Sequence, residues 1–226
     1  MAKRIIAAIL TAIMMMSMAA GCSSGDSKSS REERREEKEE RSSSSGEKLY
    51  EQVEDTEYDS DEMNDKYLEF VTELFEKCTE SEGDNNVMIS PASVFFALEM
   101  AAAGASGETL DQMTQTLMPG ATNEEALQFA ADYKERLSEV HGLTMHVANS
   151  VWIRDTVADY VYDDYLDYVR DNFNAQASVE PFDQDTVDAI NDWVDENTDG
   201  MIDRLFEELD PDNIMILINA IAFEGS

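Results

Sequence analysis

Positive charge is scarce in this sequence: 16 Lys and Arg stand against 50 Asp and Glu in 226 residues, a formal net charge of −34. Nucleic acid and anionic membrane surfaces need a basic footprint, so neither is expected as a partner. A cationic partner is allowed, but such a charge bears first on solubility. Histidine occurs twice, as His141 and His146. Without cysteines at ligand spacing these make no zinc site, and there is no G-x-S-x-G elbow to suggest a hydrolase. A phosphate-binding glycine loop is also missing, and carboxylate pairs mean nothing at this density of acid. No cofactor or metal is therefore expected. Two cysteines, Cys22 and Cys78, permit at most one disulfide. The one strongly apolar N-terminal run, "IIAAILTAIMMM", falls short of the roughly 20 residues a spanning helix needs.

That run has another reading. Lys3 and Arg4 precede it and the small residues "AAGC" follow it, which is the order of a secretory signal peptide. Residues 1–21 are expected to be a signal peptide and the chain to be exported. Ala19, Ala20, Gly21 and Cys22 resemble the bacterial lipobox, whose cysteine is lipidated and becomes the mature N-terminus. The resemblance implies a lipid on Cys22 and an anchor on the outer side of a bacterial membrane. The lipobox prefers leucine where Ala19 stands, so simple cleavage is the alternative. Either way Cys78 is left without a partner, and its place in a helical pattern reads as a small apolar side chain. Residues 22–60, rich in Ser, Glu and Arg ("REERREEKEER", "RSSSSGEK"), read as a solvated tether.

A folded part is expected over 61–226. Met63, Tyr67, Phe70, Val71, Leu74, Phe75 and Cys78 recur at helical spacing. "NNVMIS" (85–90) reads as a short strand, and Ser90 and Pro91 suit the cap and first turn of a helix over 91–105, ended by Gly104 and Gly107. Helices follow over 107–118 and 122–140, the second with Thr122 or Asn123 as its cap. In "LTMHVANSVWIR" (143–154), Leu143, Met145, Val147, Asn149, Val151 and Ile153 share one side, the period of a long strand. Then come a helix over 157–173, a strand over 177–182, a helix over 185–198 stopped by a left-handed Gly200, and a helical turn over 203–210. The run from Ile214, "IMILINAIAF", reads as a central strand buried on both faces. Taken alone, this alternation favours a parallel α/β sheet.

Two stretches invite chemistry. Asp195, Asn197, Asp199 and Gly200 match the start of a calcium loop, but Phe206 stands where the twelfth position needs a bidentate carboxylate, so a helix end is preferred. Ser90 and Ser93 place two hydroxyls at a junction within apolar surroundings, where each costs stability unless hydrogen-bonded. By itself that pattern is an ordinary helix cap.

The stretch "NVMISPASVFFALEMAAAGASGETLDQM" resembles the serpin family. The likeness continues through "HVANSVWIRD", "FNAQASVEPFD" and "INDWVDENTDGMIDRLFEELDPDNIMILINAIAFEG", in family order from about Asp61 to Gly225. It implies an α+β fold of helices and three β-sheets, which supersedes the parallel-sheet reading. The last strand becomes the third strand of the large sheet, beside "LTMHVANSVWIR", and the chain reads as truncated after it. The calcium loop becomes the turn after a helix. Ser90, Ser93 and Asn219 match the polar cluster called the shutter. The implied function is suicide-substrate inhibition of serine or cysteine proteases by the complete protein, a monomer whose partner is the target protease. The reactive loop is absent from this chain. The alternatives are a non-inhibitory serpin-fold binding protein and a nonfunctional truncated fragment. A fragment is the expectation, with a long apolar edge left open on the last strand.

Overall fold

The computed structural model describes residues 14–16, 53, 56–138 and 143–225. One mixed sheet organises them. Strand β2 (Leu143–Arg154) lies inside it, parallel to β3 (Ala175–Glu180) and antiparallel to β4 (Met215–Gly225). A three-residue strand β1 (Met14–Met16) pairs antiparallel with β4, giving the order β1-β4-β2-β3. Six α-helices are described: α1 (Ser60–Glu82), α2 (Pro91–Ala103), α3 (Gly107–Leu117), α4 (Asn123–Ser138), α5 (Asp163–Phe173) and α6 (Gln184–Asn197).

Strand alternation divides the core into two. Val151, Ile153, Leu217 and Ile221 face a cluster with Phe95, Phe96, Leu127, Phe129 and Phe173 from the helices. Trp152, Ile216 and Ile218 face the other way, against Val187, Ile190, Trp193, Val194 and Phe206. Helix α2 is buried nearly all round, as its largely apolar sequence demands, and packs against β4, α3, α4 and α5. Aromatic rings fill the space around it: Tyr67 meets Phe95 edge-on at 4.9 Å, and Phe129 stacks on Tyr133 at 5.8 Å.

The helix starts follow local chemistry. Asp59 accepts from the amides of Asp61 and Glu62 to open α1. Thr122, rather than Asn123, caps α4: its hydroxyl accepts from Glu125 N while Glu125 returns a carboxylate to Thr122 N, a reciprocal capping box. Helix α6 ends with Gly200 at φ +72, its amide donating to the Asp195 carbonyl, the left-handed stop expected there.

Several expectations are corrected. The sheet is mixed, not parallel, because β4 returns antiparallel on β2. Residues 85–90 form no strand: among the described residues no neighbour offers them a ladder. The helix expected over 157–173 is divided into a 3-10 segment, Asp155–Tyr160, and α5. Residues 203–210 are not helical. The amides of Leu205 and Phe206 donate instead to Asn191 Oδ1, at 2.7 and 2.9 Å, while Asn191 Nδ2 donates to the Phe206 carbonyl at 2.8 Å. One buried amide thus takes the backbone groups a helix would have used. At the N-terminal side, packing reaches beyond residue 61, with Val53 only 1% exposed in the helical core. The C-terminal part of α1 is less enclosed than its period suggests: Phe75 is exposed and Cys78 half-buried.

Candidate functional site: buried polar groups beneath the sheet

Alternation places Asn149 of β2 and Asn219 of β4 on the same face as Val151 and Leu217, toward α2, and the ladder sets them directly opposite each other. Both are fully buried. Asn219 Nδ2 donates to Asn149 Oδ1 at 2.8 Å, and Asn149 Nδ2 donates to the Phe173 carbonyl at the end of α5, also at 2.8 Å. This chain of bonds ties β4 through β2 to α5. Asn219 Oδ1 has no hydrogen-bond partner among the described residues. An orphan acceptor of this kind costs about 1–3 kcal/mol until a donor reaches it.

The two serines form a separate pair. Ser90 is the N-cap of α2, and its hydroxyl lies 3.0 Å from that of Ser93, which is fully buried. Ser90 Oγ also accepts from Ser93 N at 3.4 Å. Among the described residues no hydrogen bond joins either serine to Asn219. The three residues named from the sequence thus fall in two bonded pairs, Ser90 with Ser93 and Asn219 with a fourth residue, Asn149. Its signal was present: an amide on the apolar side of a strand is misplaced unless it bonds inward.

Another buried polar group of α2, Glu99, went unnoticed. It lies on α2, 1% exposed, between the buried turns of Phe95–Phe96 and Ala102–Ala103. Burial without a compensating charge pushes its carboxyl up to about 8, and its Oε1 has no partner among the described residues. A lone carboxylate in "PASVFFALEMAAAGA" was the available signal.

Arg154, at the end of β2, spends its guanidinium internally. Nε donates to the Asn213 carbonyl at 2.6 Å, Nη2 to the Asp210 carbonyl at 3.3 Å, and the group lies 4.8 Å from the Phe182 ring centre. This fixes the turn that launches β4. Of the residues weighed for other chemistry, His146 lies in β2 opposite Ala222, while His141 and Cys22 fall outside the described residues. Asp195 and Asn197 are within α6, and no group of three metal-ligating side chains occurs among the described residues.

A family profile described as "Serpin (serine protease inhibitor)" matches residues 65–226. The chain belongs to the serpin family. Among curated serpin relatives, Iripin-2 of Ixodes ricinus is 36% identical over 150 residues, 63% of this chain and 37% of that protein. Human Serpin B11 is 27% identical over 180 residues, 70% of this chain and 45% of that protein. Among solved serpins, the thermophilic tengpin in its latent state superposes with a TM-score of 0.66 at 31% identity, covering 75% of this chain and 45% of that one. A loop C-sheet serpin polymer gives 0.65 at 32% identity, covering 75% of this chain and 44% of that one. The chain thus spans less than half the length of the serpins it matches. The α+β fold and the placing of β4 beside β2 agree with the family expectation.

Proposed function

We propose that the whole protein inhibits a protease by the serpin suicide-substrate route, with a serine protease as the usual target class and a cysteine protease as the other. A cleaved loop would enter the large sheet as a new strand while the protease stays bound as its acyl-enzyme. In this reading Ser90, Ser93 and Asn219, joined by Asn149, form the shutter that holds the sheet closed. The observation that carries the proposal is the Asn219–Asn149 hydrogen bond across the β4–β2 seam, backed by an α2 hydroxyl pair on the same side of the sheet. Satisfied polar groups favour the closed seam, and Asn219 Oδ1, without a partner among the described residues, offers an alternative arrangement when strands move.

The leader and Cys22 suggest display on the outer side of a bacterial membrane through a lipid. The inhibitor does not turn over and acts once as a monomer. The deciding experiment incubates protein extracted from its native membrane with serine and cysteine proteases and resolves the products on a denaturing gel. An adduct that survives boiling in detergent supports covalent trapping. Cleavage without an adduct removes inhibition and leaves a non-inhibitory serpin.

A further inference from the structure

Strand β3 stands at one end of the sheet order and meets β2 in six consecutive residue pairs, from Asn149 with Ala175 to Arg154 with Glu180. It runs directly between α5 and α6 in the chain. In such a ladder every second residue turns its N–H and C=O away from the neighbouring strand, and among the described residues no strand receives them. Sheet edges are ordinarily blunted by lysine, by proline within the strand or by a bulge. Strand β3, with the sequence AQASVE and an unbroken register, has none of these, and Val179 near its end is 51% exposed. Its only charge is the acid Glu180.

The two faces beside this edge differ. Ala175 belongs to the core on the α2 side, so by alternation Ala177 and Val179 lie on that side too. There the 3-10 segment packs against β3 and adds the exposed Tyr160. On the other face Gln176 accepts a hydrogen bond from Trp193 Nε1 at 3.1 Å, so Gln176, Ser178 and Glu180 lie on the α6 side. Helix α6 and its cap carry Asp183, Asp185, Asp188 and Asp192 in exposed positions. Residues 155–199, which supply the 3-10 segment, α5, β3 and α6, hold 14 Asp and Glu against one basic residue, Arg170, itself bonded to Asp167 at 2.6 Å.

We propose that the outer edge of β3 docks an extended segment of a partner protein, one with Lys or Arg at every second residue and apolar side chains between them. Main-chain hydrogen bonds to β3 hold this segment as a further strand. Its basic side chains lie on the α6 side, toward Glu180 and the aspartates of the helix, and its apolar ones lie on the side of Val179 and Tyr160. A second copy of this chain is disfavoured as occupant, because its net charge of −34 brings the same sign to the same edge. The docking is independent of protease inhibition.

Amide exchange and peptide binding on the whole protein test this. The probe is a short labelled peptide in which Lys alternates with Val, and its control is the same peptide with every backbone amide N-methylated. Without peptide, amides across Ala175–Glu180 are expected to alternate between slow and fast exchange. The probe is expected to slow the fast ones by at least about tenfold, and the N-methylated peptide to leave them unchanged. Val179→Lys with Glu180→Lys is expected to weaken binding by about tenfold, whereas Glu76→Lys with Glu80→Gln, the same change of charge at exposed positions of α1, preserves it. Uniform protection of β3 without peptide overturns the proposal, since another part of the same protein then holds the edge. Equal binding of the N-methylated peptide, or equal loss in the α1 variant, overturns strand docking in favour of bulk charge attraction. No binding of the probe overturns it outright.

Discussion

Glu99 makes stability depend on pH in a direction opposite to that of most carboxylates. Its folded-state value of about 8 lies above the usual 4.5, so the folded protein keeps a proton that the unfolded chain gives up. Between those values the folded state binds more protons, and stability falls as pH rises. At about 1.36 kcal/mol per unit, raising the pH from about 5 to about 8.5 removes roughly 4 kcal/mol, nearly all of it gone once the pH passes the folded value. Glu99→Gln substitutes a neutral side chain of the same shape and deletes the titration. Parallel urea denaturation of the protein and this variant across that range isolates the effect, since every other carboxylate is common to both. The two are expected to be similarly stable near pH 5, with the variant ahead by about 4 kcal/mol near pH 8.5. A stability difference that stays constant with pH would refute the burial of an unpaired carboxyl.

Asn219→Ala strips Asn149 Oδ1 of its donor and should cost about 1–3 kcal/mol, with earlier thermal unfolding and polymers on a sizing column. Unchanged melting and no polymer would remove the shutter assignment. Asn191→Ala leaves one carbonyl and two amides of residues 205–206 without their partner and should cost about 3 kcal/mol in denaturant titration, with faster proteolysis between Thr198 and Asp210. A loss below about 0.5 kcal/mol would mean that the segment is held by other contacts. Thr122→Ala dissolves the capping box of α4 and should cost about 1 kcal/mol, and amide exchange should locate the loss in the first turn.

Elements whose information is local were legible in the sequence. Strand β2 occupies the expected residues 143–154, since alternation over that length admits no helix. Helix α2 begins at Pro91 behind Ser90 as anticipated, because cap and first-turn chemistry lie within four residues. Features decided by distant partners were not legible. Residues 203–210 have a plausible helical pattern, and only the inward amide of Asn191 explains why their backbone is held otherwise. Asn149 and Asn219 could be placed on apolar faces from parity, yet that they oppose one another depends on the register of β2 with β4. Likewise the pairing of Met14–Met16 with β4 joins segments far apart in sequence, beyond any local pattern.

Asn149 reaches one partner 24 residues away, at Phe173, and another 70 residues away, at Asn219. Closing the longer loop costs about 1 kcal/mol more entropy than closing the shorter one. The shorter loop is therefore the more readily closed of the two. Once the Asn149 amide is anchored to the carbonyl that ends α5, its oxygen is left facing the place β4 takes. When β4 arrives, a prepared acceptor helps to select the register that brings Asn219 opposite. A slip of one residue would put that amide on the other face of the sheet and leave the acceptor empty. The buried pair thus favours one alignment of β4 on β2 over its one-residue neighbours.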